Sequence, residues 1–333
     1  DKSNPKIVFC SPVSGKILEI IRGEKRRILE VVITADDDLV YKKFDVPNSK
    51  DLNRNQIIET MLSGGVWPFV RQKPYDVIAN PTDLPKAIFI SAFKSTPLSI
   101  DNDFALYGME DLFQIGLDYI TKLSKGKTHL NVDGNTNISK VFRDAKGVQI
   151  NKISGPHPAG NVGVQVHHID PINKGEVIWY LEPQDVIAIA RLFKEGRYDV
   201  SRIVALAGSQ VSKPRYYRTI SGVSVSNLLT DNLNHGVNRI ISGDVLTGKQ
   251  SSIDGYLGFY HSSISVIEES FDRSFIGWFH PGGSSRYSVF NAYLGSNKSP
   301  YKFTTLQNGS HRAFVPIGAW EKVFPMNIYI NAL

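Results

Sequence analysis

Five short apolar runs between Lys86 and Ala207 alternate with segments of helical period, and this alternation limits the fold more than any other feature of the sequence. Lys86–Ala92 (KAIFISA) is the kind of short apolar run that forms a strand buried in a parallel sheet. Met109–Leu123 then sets Leu112, Phe113, Gly116, Leu117 and Ile120 at helical spacing. Thr128–Val132 reads as the next strand, Ile138–Arg143 as a short helix and Val148–Ile153 as a third strand. Past a Gly/Pro-rich loop come a fourth strand (Glu176–Leu181), a helix (Pro183–Phe193) and a fifth strand (Arg202–Ala207). Strands alternating with helices predict a parallel sheet covered on both faces, a Rossmann-like domain over residues 86–213.

The rest of the 333 residues divides around that core, which makes the expected class a multi-domain α/β protein. Ile7–Val32 alternates apolar and polar residues around Ser14-Gly15 and Arg22-Gly23-Glu24, the pattern of a β-hairpin. Two or three strands cannot bury a face alone, so residues 1–40 read as the remnant of a β-rich, barrel-sandwich or lipoyl-like domain. Residues 41–85 form a connecting α+β segment, with a helix over Asn55–Ser63 that Gly64-Gly65 ends. Residues 214–250 read as a small α+β unit of the β-grasp, SLBB-type kind: helical over Val223–Leu233, strand-like over Asn238–Ile241, with a tight turn between Gly243 and Gly248. Short strands punctuated by Gly, Pro, Ser and Asn are expected over residues 251–333. Both ends are expected to be cut from a longer protein, since Met326–Leu333 stops inside an apolar pattern.

No run approaches the roughly 18 consecutive apolar residues of a membrane helix, so any contact with a membrane is expected to go through partners or surface charge. A single cysteine, Cys10, excludes a disulfide framework and any four-cysteine zinc or iron–sulfur site, and reads as a buried apolar thiol. The net charge of +6 is carried in part by short clusters (Arg22, Lys25, Arg26, Arg27; Lys42, Lys43) without the interleaved aromatics of a nucleic-acid surface. They read as a solvated face, or as docking to an acidic partner or an anionic leaflet.

The stretch most like a site is Gly155-Pro-His-Pro-Ala-Gly-Asn-Val-Gly163, which directly follows a strand and so lies where open α/β sheets bind ligands. Its candidate residues are Gly155, Pro156, His157, Gly160 and Gly163. The spacing is not that of a dinucleotide loop. Gly155-x₄-Gly160 begins like a P-loop, but Asn161 and Val162 stand where Lys and Ser/Thr would hold phosphate and Mg²⁺. A partner-facing or structural loop and a cleft for a neutral ligand both stay open. His157, His167 and His168 invite a metal, but on a strand the adjacent pair would point to opposite faces, and no metal site is expected. No G-x-S-x-G elbow is present, Gly208-Ser209-Gln210 lacking the second glycine, and no catalytic residue is assigned. Asp36-Asp37-Asp38 reads as a solvated turn, and Trp67, Tyr256, Phe259 and Tyr260 as core with some capacity to line an apolar cleft.

A collinear series of runs resembles one family. It comprises Ser11-Pro-Val-Ser-Gly-Lys-Ile17 with Arg22-Gly-Glu-Lys-Arg26, Ser63-Gly-Gly-Val-Trp67 with Arg71, and Ala87-Ile-Phe-Ile-Ser-Ala92. Gly155–Gly160 with Val162-Gly163, Gln184-Asp-Val-Ile-Ala-Ile-Ala190 and Val204–Gly208 with Pro214-Arg215 follow. Ile241-Ser-Gly243 with Val245–Gly248, and Tyr256–Gly258 with Tyr260-His261, complete the series. Together they resemble the A subunits of the Na⁺-translocating NADH:quinone oxidoreductases (NQR). The resemblance implies a peripheral subunit on the cytoplasmic face of a bacterial inner membrane, in a six-subunit complex that passes electrons from NADH to quinone and exports Na⁺. It also implies that FAD, FMN, riboflavin and Fe–S groups sit in other subunits, that this chain carries no redox cofactor and is not itself catalytic, and that quinone is the one ligand to expect. Within the chain, the 155–163 loop is where quinone or a partner subunit is expected, with His157 as a donor.

Overall fold

The computed structural model describes residues 4–47, 51–271, 287, 301–307, 313, 315 and 317–330. They fall into two compact units: residues up to Thr96 with Ile100–Arg202 and Pro325–Asn327, and Pro97–Ser99 with Ile203–Phe324 and the residues from Ile328.

The first unit begins with a twisted antiparallel hairpin, β1 (Gly15–Arg22) and β2 (Ile28–Ala35), as the alternation predicts. Ile17, Leu18, Ile20, Ile28, Leu29 and Val31 remain exposed, since neither strand has a second layer to pack on among the described residues. Helix α1 (Arg54–Ser63) starts at a capping box in which Asn53 and Gln56 exchange side-chain and backbone hydrogen bonds. Strands β3 (Arg71–Lys73) and β4 (Val77–Ile78) follow, then β5 (Ile88–Ser91), whose four residues are all buried.

Helices α2 (Asn102–Ala105) and α3 (Glu110–Ile120) lead to β6 (Thr128–Asp133), and α4 (Lys140–Arg143) to β7 (Gln149–Ile153). Helix α5 (Val162–Ile169) returns the chain to β8 (Ile178–Leu181), and α6 (Pro183–Glu195) leaves it. The sheet order is β4-β3-β8-β5-β6-β7. β8, β5, β6 and β7 are parallel, while β3 and β4 add an antiparallel edge. Residues 71–78, expected in a connecting segment, therefore belong to the sheet. That edge is pinned by Asp76, which pairs with Arg71 (3.0 Å) and Lys73 (3.1 Å) and accepts from the Tyr180 hydroxyl of β8.

The two faces are covered by different helices. α5 lays Val162 and Val166 on Ala87, Phe89, Ile178 and Tyr180. α3 packs on α6, with Gly116 so close to Val186 that an added Cβ would stand 2.5 Å from the Val186 carbonyl oxygen. Phe113 meets Phe142 edge-on at 5.3 Å, and Trp67 meets Trp179 at 5.4 Å, both tryptophans fully buried with their indole N–H groups bonded. Trp67 is thus core. Burying one such side chain contributes about 2–3 kcal/mol.

The fifth strand of the sequence pattern forms, but in another sheet. β9 (Ser201–Ala207) pairs with β10 (Arg215–Ile220) and runs parallel to β13 (Ser263–Glu268). After α7 (Val225–Leu229), β11 (Asn238–Ser242) joins β13 and β12 (Lys249–Ser251), giving the order β10-β9-β13-β11-β12. An apolar run shows that a strand is buried; it does not show which neighbour it takes. Of the strands expected beyond Tyr256, β13 forms, and the stretch 272–286 lies outside the described residues.

Candidate functional site

β5, β6 and β7 step outward in order, and β8 then returns to the opposite side of β5. The carboxyl ends of β5 and β8 therefore mark the point where the winding reverses, the place at which open α/β sheets form a crevice. Here the chain's own side chains bridge it. Lys94, three residues past β5, pairs at 2.6 Å with Glu182, which directly follows β8. Glu182 is also the N-cap of α6, with Pro183 in the first turn and Asp185 completing a capping box.

The 155–163 loop sits over the neighbouring strand ends. Ala159 N–H bonds to Pro156 O (2.9 Å) and Asn161 N–H to Pro158 O (2.8 Å), coiling the loop tightly. Gly160 N–H donates to Ser95 Oγ (2.8 Å), and Ser95 Oγ stands 3.1 Å from His157 Nδ1. At Gly160 a Cβ would meet Ser95 N at 2.3 Å, so only glycine lets the loop seat on the β5 extension. Gly155 takes φ +140°, a backbone that side chains rarely adopt. Gly163 is not in the loop as expected. It lies in the first turn of α5, with open space where a side chain would go. His157 and Gly160 thus come together through Ser95, while Pro156 acts through its carbonyl.

Beneath the loop runs a buried ladder of amides. Asn151 Nδ2 donates to Asn131 Oδ1 (2.8 Å) and lies 3.2 Å from His129 Nδ1. Asn131 Nδ2 donates to Gln165 Oε1 (2.8 Å), and Gln165 Nε2 to the Ala159 carbonyl in the loop (3.3 Å). His129 stacks on Phe89 at 4.6 Å, and burial pushes its pKa down, against an opposing pull from Asp170, so it stays neutral near pH 7. Neither Ser95 nor this ladder is visible in the motif, because all its links but Gln165–Ala159 join residues 20 or more apart in sequence.

The geometry speaks against a nucleotide phosphate at this loop. A phosphate cradle needs backbone N–H groups turned outward, and those of Ala159, Gly160 and Asn161 are engaged within the protein. His167 and His168 lie in the last turn of α5 rather than on a strand, with rings edge-on at 5.2 Å. His168 Nε2 is 2.7 Å from Pro325 O, and His167 Nε2 accepts from Asn327 N–H at 3.1 Å. Among the described residues no three His, Cys, Asp or Glu side chains are grouped to hold a metal, and no helix is long and apolar enough to cross a membrane. Cys10 is half-buried rather than fully enclosed, its Sγ 4.0 Å from Gly64 O. Burial pushes its thiol up, while Lys42 draws it down. It lines a cavity of about 250 Å³ with Val40, Tyr41, Phe44, Tyr198 and Val200.

Three family models match the chain in series. The NqrA N-terminal barrel-sandwich hybrid domain matches residues 1–36, the NqrA second alpha/beta domain 52–198 and the NQRA C-terminal domain 203–252. The curated A subunits of Na(+)-translocating NADH-quinone reductase from Pasteurella multocida (37% identical) and Histophilus somni (38%) align with 98% of this chain and 74% of their own length. The Photorhabdus laumondii protein is 37% identical over the whole chain and 75% of its own length. The chain belongs to the NqrA family, the A subunits of Na(+)-translocating NADH-quinone reductase.

The NqrA models divide at 198–203, which agrees with the break between the two units at Arg202 and not with the expected limit at 213. The second NqrA model also takes in α1, β3 and β4. Among solved structures, NAD+-reducing [NiFe]-hydrogenase in the air-oxidized state aligns with 65% of this chain and 47% of its own at 12% identity and a TM-score of 0.48, a likeness too loose to argue from.

Proposed function

We propose that this NqrA chain is a docking subunit of the reductase, seated peripherally on the cytoplasmic face of the membrane, and that it binds quinone without holding a redox group of its own. The observation that carries the reading is the series of NqrA matches along nearly the whole chain. The FAD, FMN, riboflavin and Fe–S chemistry of the electron path then belongs to partner subunits. A quinone needs an apolar slot and one or two donors for its carbonyls. His157 in the 155–160 loop offers such a donor, since its Nε2 has no partner among the described residues.

A second reading, a structural docking module without ligand, is favoured by the Lys94–Glu182 pair that closes the reversal point. A photoreactive quinone analogue separates the two. Crosslinks to peptides containing residues 155–163 support the quinone site, and labelling that misses them removes it. The free-standing nucleotide- or flavin-dependent oxidoreductase is tested by calorimetry with NADH and with FMN. Binding tighter than about 100 μM, about −5.5 kcal/mol, overturns the cofactor-free reading. Purification of the complex with and without this chain tests the docking role, since assembly and NADH-driven quinone reduction are expected to need it.

A further inference from the structure

The contact between the β5 extension and the loop bears on which imidazole nitrogen of His157 carries the proton. A backbone N–H can only donate, and that of Gly160 donates to Ser95 Oγ at 2.8 Å. The serine oxygen keeps one proton to give. Among the described residues the only acceptor set for it is His157 Nδ1, at 3.1 Å. An Nδ1 that accepts from Ser95 leaves the neutral ring protonated at Nε2. Gly160 sustains the arrangement, because a side chain there would push the loop off Ser95.

We propose that Ser95 is a positioning residue that locks His157 as the Nε2–H tautomer, so that the ring presents a fixed donor to a carbonyl-class ligand at the strand ends. The inference rests on the reading of His157 as the quinone donor. Its physical benefit is pre-organisation. A ring held by Ser95 and the coiled loop loses little freedom when a carbonyl arrives, whereas a loose ring must be ordered and can offer a lone pair instead of a proton.

The test uses the chain labelled with ¹⁵N-histidine in alkaline buffer, with His157→Gln to assign the ring signals. The lock predicts one tautomer, with Nδ1 bare and hydrogen-bonded and Nε2 protonated. Ser95→Ala is expected to average the two nitrogens toward a mixture, and Ser95→Thr, which keeps the hydroxyl, to restore the single form. In parallel, a short-chain ubiquinone analogue is titrated by fluorescence. Ser95→Ala is expected to raise its dissociation constant about two- to tenfold, the span of one neutral hydrogen bond, and Ser95→Thr to leave it unchanged. A wild-type ring protonated at Nδ1, or a Ser95→Ala ring with an unaltered signature, overturns the lock, and the wild-type spectrum decides this even if a variant folds poorly. If the ring signals behave as stated while the analogue binds wild type and Ser95→Ala alike, the lock stands and the quinone reading fails.

Discussion

A methyl group at Gly160 would stand 2.3 Å from Ser95 N and 2.7 Å from Ser95 Oγ, and the first of these atoms is backbone, which cannot rotate away. Gly160→Ala is therefore expected to lift the loop and cost about 1–3 kcal/mol, the usual range for overpacking, read as a lower urea midpoint and faster amide exchange across 155–161. A second residue-scale prediction concerns Asp185, which is buried and bonded at 2.7 Å to Arg202, itself stacked 4.7 Å over Phe69. Burial pushes the Asp185 carboxyl above its ordinary 3.8, and Arg202 opposes that push. A raised carboxyl contributes stability that is complete below pH 3.8 and lost as pH rises through the folded value. Arg202→Met removes the opposing charge, so the variant should lose about 3–5 kcal/mol at neutral pH, with the gap to wild type narrowing as the buffer is taken toward pH 4. Urea midpoints at the two pH values check it. The sequence offered Gly155, His157 and Gly160 as a cluster because Gly and Pro mark an unusual backbone. It could not offer Ser95 or Asp185–Arg202, whose meaning lies in contacts 62 residues and 17 residues apart.

At the scale of elements, α3 and α6 cross where Gly116 faces Val186, and both the backbone carbonyl and Cγ1 of Val186 lie within 2.6 Å of a built Cβ. The small residue sets the approach of the two helices, as small residues at helix crossings do. Gly116→Val is expected to separate them and destabilise the unit by about 1–3 kcal/mol. Gly163→Val, in open space on the exposed side of α5, should change stability far less, since surface substitutions stay within about 0.5 kcal/mol. Thermal melts of the pair make the comparison. α3 and α6 were legible because each buries a stripe at helical spacing, Phe113, Gly116, Leu117 and Ile120 in one and Val186, Ile189, Ala190 and Phe193 in the other. β3 and β4 were not, because Arg71-Gln-Lys73 is polar and too short for a period to show. Only its pairing with Ile178–Tyr180 makes it a strand. β9 was legible as a strand and misassigned as a neighbour, since its partners in β13 lie about 60 residues onward.

For the whole molecule, the excess of positive charge raises the question of where it acts. The turn between β1 and β2 gathers Arg22, Lys25, Arg26 and Arg27 against a single Glu24, all but Gly23 among them exposed. None of these four cations makes an ion pair among the described residues, while Lys86, Lys94 and Arg191 of the α/β unit are each paired with carboxylates. Paired charge holds the fold. Unpaired charge at a projecting tip is available to a partner, and at physiological salt it is felt only within about 8 Å. Lys25→Glu with Arg26→Glu and Arg27→Glu turns a tip of net +3 into one of net −3, counting Arg22 and Glu24 with them. Because the tip is exposed, the melting temperature should stay within a degree or two of wild type. Association with the remaining subunits should instead slow markedly at low salt and lose its salt dependence, since rim charges govern encounter more than lifetime. Binding kinetics measured at two ionic strengths check this. Unchanged rates would mean that the tip is a solvated face, and slowed binding to anionic vesicles with unchanged binding to the subunits would move its contact from protein to lipid.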